Sequence, residues 1–243
     1  MARLIVFSAR ACPFAHRTRL VLSHKSVDFE LREIDLRNKP SWFSTVSGYG
    51  KVPAIEHDGN RVWESAIINE YVDEVFPNPP LLPGHSGKRA IARLWIDWAN
   101  TRFVPLFGAL LRGTTEAARD EARSSLLSGL DFLEREGFAK HSEGGPYFFG
   151  AAPSLVDFTL YPWFERWPAL EQVEQIRGSV LKLAPERIVS WKARLGELPT
   201  VKAEESPTSF YVERYAVHAV DKLGLARQDE PHRSGSSAET RSF

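Results

Sequence analysis

The stretch Arg3-Leu4-Ile5-Val6-Phe7-Ser8-Ala9-Arg10-Ala11-Cys12-Pro13 decides how this chain is read. Residues 3 to 7 are a short run of branched and aromatic side chains suited to a strand, Ser8 to Ala11 interrupt it, and Leu20, Val21 and Leu22 follow on a helical pattern. From Val27 to Ile34, apolar Val27, Phe29 and Leu31 alternate with charged Asp28, Glu30 and Arg32, which predicts a strand buried on one face. A strand-helix-strand unit is complete by residue 35. It implies a right-handed crossover and parallel pairing.

Working outward, a short helix is expected over Pro40 to Val46, followed by Val52-Pro53-Ala54-Ile55, the turn Asp58-Gly59-Asn60 and then Arg61-Val62-Trp63. Two apolar runs around Asp-Gly predict a hairpin. Ser65 precedes a helical run carrying Ile67, Ile68, Tyr71, Val72 and Val75, which stops before Pro77. Residues 1–76 thus form one domain of order β-α-β-α-β-β-α, a small sheet with helices on its faces. Residues 77–88 hold four prolines and two glycines, so neither helix nor strand runs through them, and they form a linker. Beyond it, Ile91, Trp95, Trp98 and Leu106 mark a long amphipathic helix bent near Pro105, and Leu126, Leu130 and Leu133 mark another. Further helices are expected near 154–167, 186–197 and 207–224. Residues 89–225 therefore read as an all-α domain, and 226–243, rich in Ser, Arg and Glu, as a disordered tail.

Composition removes several function classes. With 31 basic and 31 acidic residues the chain offers no field for phosphate backbones or anionic lipid, so neither nucleic acid nor membrane is an expected partner. The apolar runs are too short to span a bilayer, and the first residues lack a signal-peptide layout, which predicts a cytoplasmic protein. The seven histidines show no metal-binding spacing, and no metal is expected. A single cysteine excludes an internal disulfide, a CxxC pair or a thiolate zinc site, so chemistry at Cys12 is monothiol chemistry.

Cys12-Pro13 sits where a strand hands over to a helix. Proline suits the first helical turn, which puts Cys12 at or beside the N-cap, where unpaired amides and the helix dipole favour a thiolate. Arg10, Arg17 and Arg19 add positive charge nearby. The plainer reading is a small buried hydrophobe. Val52-Pro53 opens a strand, and a cis bond there would turn the Val52 backbone outward to pair with an extended peptide. Glu64-Ser65 precedes a helix, so the Ser65 hydroxyl and the first free amides suit a carboxylate while Glu64 suits an ammonium. Each also has an ordinary alternative, since Val-Pro is common in turns and Ser65 can serve only as a cap.

Taken together, Ala11-Cys12-Pro13-Phe14-Ala15-His16-Arg17-Thr18-Arg19-Leu20, Asn38-Lys39-Pro40-Ser41-Trp42-Phe43, Lys51-Val52-Pro53-Ala54-Ile55 and Trp63-Glu64-Ser65-Ala66-Ile67 resemble the cysteine-type glutathione transferases, the omega class most closely. The resemblance continues through Ser154-Leu155-Val156-Asp157 and Pro162-Trp163-Phe164-Glu165-Arg166 and covers about residues 3 to 224. It implies a thioredoxin-like α/β N-terminal domain, an all-α C-terminal domain, glutathione as co-substrate and a homodimer.

Residue by residue, the resemblance makes Cys12 the catalytic thiol and puts Phe14 and Lys39 beside glutathione, Lys39 near its glycyl carboxylate. Val52, with Pro53, would pair with the cysteinyl backbone, and Glu64 with Ser65 would hold the γ-glutamyl end. Trp163 and Arg166 would line the pocket for a small-molecule or disulfide acceptor, and Ser154 with Asp157 would form a helix-capping box that serves folding. His16 departs from the glutamate usual in the omega pattern and is similar to the glutathionyl-hydroquinone reductases; a packing or domain-contact role is expected for it. The implied activity is thiol transfer or dehydroascorbate-type reduction through a Cys12 mixed disulfide. Rival readings are a glutathione-conjugate lyase or hydroquinone reductase on an aromatic acceptor, and a non-catalytic regulatory protein on the same fold.

Overall fold

A computed structural model describes residues 3–173 and 180–223. The expected tail, 226–243, lies outside these described residues. Strand β1 (Ile5–Ser8) leads through Ala9 to Cys12 into helix α1 (Pro13–His24), and β2 (Glu30–Glu33) returns parallel to β1 with Ile5 opposite Glu30 and Phe7 opposite Arg32. Strands β3 (Ala54–His57) and β4 (Asn60–Trp63) form the expected hairpin, with Asp58 and Gly59 at φ 54° and 78°, the left-handed pair that a two-residue turn requires. The sheet order is β2-β1-β3-β4, with β1 antiparallel to β3. Helix α2 (Ser65–Val75) then packs back against α1.

Alternation along β1 divides the core. Leu4 and Val6 face α1 and α2 and join the large core that continues into the helical domain. Phe7, by contrast, meets Ala15, Ile34, Phe43, Val46, Val52 and Ala54 in a small separate core, against which Cys12 and Trp63 pack at the margin. The segment predicted as a helix over Pro40 to Val46 is a 3-10 turn at Ser41–Thr45. Five residues closed by Ser44 Oγ on the Ser41 carbonyl and Thr45 Oγ1 on the Trp42 carbonyl favour the tighter turn.

The linker is fastened at its start. Lys25, at the end of α1, donates through Nζ to the Phe76 carbonyl at 2.8 Å, the Pro79 carbonyl at 2.5 Å and Asp73 Oδ1 at 2.7 Å. Asp73 in turn accepts from the Leu81 and Leu82 amides. Helix α3 (Ser86–Trp98) passes through a π-turn at Ala99–Phe103 into α4 (Val104–Arg112), so the expected bend occurs just before Pro105. Helix α5 (Glu116–Phe132) likewise runs through a π-turn into the short α6 (Ala139–His141).

Helix α7 (Leu155–Val173) is the axis of the second domain and touches α1, α3 and α10. It contains Pro162 and Pro168 and runs past the predicted end near 167. Its start is fixed by Asp157, which accepts from the Ser154 amide and hydroxyl, the Phe148 amide and Trp191 Nε1 at 2.6–3.0 Å. Burial pushes the Asp157 carboxyl upward, and these four donors oppose it. Helices α8 (Glu186–Gly196), α9 (Pro199–Glu204) and α10 (Thr208–Leu223) complete the domain. The architecture is the expected one, a small mixed four-strand sheet domain followed by a helical domain.

Candidate functional site

Cys12 is the N-cap of α1, in extended conformation (φ −76°, ψ 120°) with Pro13 at the first helical position. Its amide is tied to the Ala9 carbonyl at 2.9 Å, and its own carbonyl accepts the first helical bond, from His16 at 3.0 Å. No side chain caps this helix start. The Cys12 sulfur therefore stands on the residue from which a capping oxygen usually accepts first-turn amides, a position that favours negative charge. It is a free, partly exposed thiol, 3.8 Å from the Val52 carbonyl.

Val52 joins Cys12 to a cleft of about 110 Å³ lined by Phe14, Ser47, Lys51, Val52, Pro53, Trp63, Glu64 and Ser65. The Val52–Pro53 bond is cis. Glu64 precedes α2 at φ 70°, so Glu64 is the N-cap and Ser65 the first helical residue, not the cap its sequence position suggests. Neither residue caps the helix with its side chain, since Glu64 makes no capping bond and the Ser65 hydroxyl is engaged from behind by Arg17 Nη1 at 3.2 Å. A larger depression of about 350 Å³ beside Tyr147, Arg194 and Glu197 contains none of the predicted residues, and its charges pair with each other.

Five of the predicted residues, Phe14, Val52, Pro53, Glu64 and Ser65, thus converge on one cleft, with Cys12 at its edge. Three others lie apart from the lining. Lys39 donates to the Gly50 carbonyl at 2.9 Å. Trp163 and Arg166 are buried between the domains. Trp163 stands behind the cleft residue Phe14, whose ring meets it edge-on at 5.1 Å. Arg166 donates to His16 Nδ1 at 3.0 Å, to the Pro162 carbonyl at 2.8 Å and to the Ala11 carbonyl at 3.5 Å, and it lies over the Tyr211 ring.

His16 is completely buried, and its partners belong to α7, which makes it a contact between domains. Burial and the neighbouring Arg166 and Arg19 hold its pKa well below the ordinary 6.5. Its Nε2 faces Glu165 Oε2 at 3.6 Å, and burial pushes the Glu165 carboxyl upward.

Sequence reasoning missed Ser47, Lys51 and Trp63 as lining residues and left the direction of Arg17 open. Ser47 closes its own loop, bonding the Lys51 carbonyl and amide at 2.8 and 3.1 Å. Gly48 lies under Trp63, where a Cβ would come within 3.2 Å of the ring, and Gly50 has φ 58°. The glycine spacing in Ser47-Gly48-Tyr49-Gly50 was the available signal for this loop. The hydrogen bonds that set the direction of Arg17 are not signalled locally, because their acceptors lie 48 to 142 positions away. Among the described residues no group of histidine, cysteine and carboxylate side chains could hold a metal ion.

Comparison with known proteins gives the family and the fold. The glutathione S-transferase N-terminal domain family matches residues 11–75, and the glutathione S-transferase C-terminal domain family matches 116–178. The omega-1 glutathione S-transferase of Sus scrofa is 34% identical over 199 residues, 82% of this chain and 78% of its own length. Glutathione transferase Omega 3C of Trametes versicolor superposes with a TM-score of 0.77 at 27% identity, over 91% of this chain and 92% of that one. A rice glutathione transferase solved in complex with glutathione gives 0.78 at 26% identity, over 90% and 97%.

Proposed function

Because this chain belongs to the glutathione S-transferase family, with omega-class relatives, we propose that it is a glutathione-dependent thiol transferase acting through Cys12. The observation that carries this reading is the partly exposed Cys12 sulfur at an uncapped helix start, beside the Val52 wall of the cleft. A cleft of about 110 Å³ is smaller than sites that enclose a drug-sized ligand. A tripeptide would fill it with one end, the γ-glutamyl end against Glu64 and Ser65, and lie along Val52 toward Cys12.

The Cys12 thiolate attacks the glutathionyl sulfur of a mixed disulfide. The acceptor sulfur leaves as a thiolate and takes a proton from water, and a Cys12–glutathione disulfide remains. A second glutathione thiolate then attacks the glutathionyl sulfur of that bond, releasing oxidised glutathione and regenerating the Cys12 thiolate. The chain has one cysteine, so the resolving thiol is external. Conjugation needs a hydroxyl that stabilises the glutathione thiolate without being attacked, and Cys12 is a poorer group for that task. An acceptor approaching Cys12 would lie against the Phe14 ring, 37% exposed and backed by Trp163.

The test is the Cys12→Ala variant assayed for release of a glutathionylated acceptor and, separately, for binding of glutathione. The reading requires loss of transfer with binding retained. Full transfer by the variant would overturn it.

A further inference from the structure

Arg17 of α1 is 1% exposed and spans the two domains. Its Nε donates to the Thr159 carbonyl of α7 at 2.8 Å, and its Nη1 donates to Asn100 Oδ1 at 2.7 Å and Ser65 Oγ at 3.2 Å. The guanidinium lies 4.4 Å from the Trp163 ring centre and 5.0 Å from that of Phe14. Its Nη2 is buried without a hydrogen-bond partner among the described residues.

Every one of those hydrogen-bond partners is neutral. The other buried cations of α1 and its end differ: Arg19 meets Glu204 at 2.8 Å, and Lys25 meets Asp73 at 2.7 Å. A buried cation with no carboxylate beside it is costly, and burial pulls the Arg17 pKa down to about 9, opposed by the negative charge of Cys12. Arg17 remains charged at neutral pH.

A guanidinium donates and never accepts. Ser65 Oγ must therefore accept from Arg17, which turns the serine hydrogen away from it. Ser65 lines the cleft and opens an 11-residue helix, where an anion is favoured. Glu64, on the same rim, suits the ammonium of an amino acid and not its carboxylate.

We propose that Arg17 is the positioning residue for the carboxylate end of the ligand: it fixes Ser65 as a donor into the cleft and supplies the positive charge that a bound carboxylate completes. This rests on the glutathione reading, in which that group is the α-carboxylate of the γ-glutamyl residue. Through Asn100 and Thr159, the same guanidinium ties carboxylate binding to the contact between domains.

Calorimetric titration of the full chain with S-methylglutathione, and with the analogue lacking the γ-glutamyl α-carboxylate, tests this without disulfide chemistry. The wild-type protein binds the analogue at least tenfold more weakly, the size expected for a hydrogen bond to a charged group. Arg17→Gln binds both ligands alike. A merely structural role for Arg17 would weaken both equally and preserve the ratio, which would overturn the proposal.

Asn100→Asp gives the same answer in a variant that gains an ion pair. It gives Arg17 a counter-ion inside the protein, so the thermal midpoint rises while preference for the carboxylate-bearing ligand falls. A rise in stability with the preference unchanged contradicts the proposal. If the wild-type chain binds both ligands equally, the inference fails while the glutathione reading stands; if it binds neither, both fall.

Discussion

Arg166 Nη1 and His16 Nδ1 lie 3.0 Å apart in a fully buried contact between α7 and α1. Since arginine carries no acceptor, Nδ1 must be the unprotonated nitrogen, and a neutral ring bears its hydrogen on Nε2, toward Glu165. The ring stays neutral in the fold because burial and two arginines depress its pKa.

A pH dependence follows from that neutral ring. Below pH 6.5 the unfolded chain takes up a proton at residue 16 that the folded chain refuses, so stability falls as pH drops from 6.5 toward the depressed folded value. The slope is about 1.4 kcal/mol per pH unit at most. Glu165 and Asp157, whose carboxyls are raised, contribute in the opposite direction. His16→Asn keeps an acceptor for Arg166 and removes the titration. Urea unfolding of both proteins from pH 7 to 5 should show a smaller loss in the variant; parallel curves would refute the assignment.

Asp157 holds four donors with two oxygens. Asp157→Ala leaves the Phe148 and Ser154 amides and the Trp191 indole nitrogen without partners inside the core. A loss of roughly 3–5 kcal/mol is expected from urea unfolding, on the scale of breaking buried polar networks. A loss below about 1 kcal/mol would show that water replaces the carboxylate.

Lys25 is predicted to act on the linker and not on the chemistry. Lys25→Met leaves Asp73 with its two amide donors but no counter-ion and deprives two carbonyls of their donor, and a loss of about 2–4 kcal/mol in unfolding free energy is expected. The rate at which Cys12 reacts with oxidised glutathione should stay within twofold of wild type. A large change in that rate would mean that the clamp shapes the cleft.

Lys51 borders the cleft, whereas Lys39 is spent on the Gly50 carbonyl. Lys51→Ala should raise the KM for glutathione several-fold with kcat little changed, and Lys39→Ala should move it less. The reverse order would return Lys39 to the ligand, as the resemblance implied.

The difference between these two lysines shows where sequence stops being informative. The β1-loop-α1 passage, the Asp58-Gly59 hairpin and the helix after Glu64 are legible because turn chemistry and hydrophobic period act locally. The same holds for the site residues whose placement follows from the backbone, such as Cys12 at a helix start beside the cleft and Val52 before a strand. The 3-10 turn at Ser41–Thr45 and the continuation of α7 past Pro168 are decided by hydrogen bonding and packing that periodicity does not encode. Arg17 and Arg19 lie two residues apart on α1, yet one turns to Ser65 and Asn100 and the other to Glu204. Side-chain direction on a buried helix depends on partners far along the chain, which no local pattern carries.

The most direct measurement is mass spectrometry of the protein treated with oxidised glutathione, folded and in urea. The account predicts one glutathionyl adduct on the peptide containing Cys12, formed faster in the folded protein than in the unfolded one and removed by reduced glutathione. An adduct that forms only after unfolding would contradict it, because the sulfur would then be neither activated nor reachable where the fold holds it.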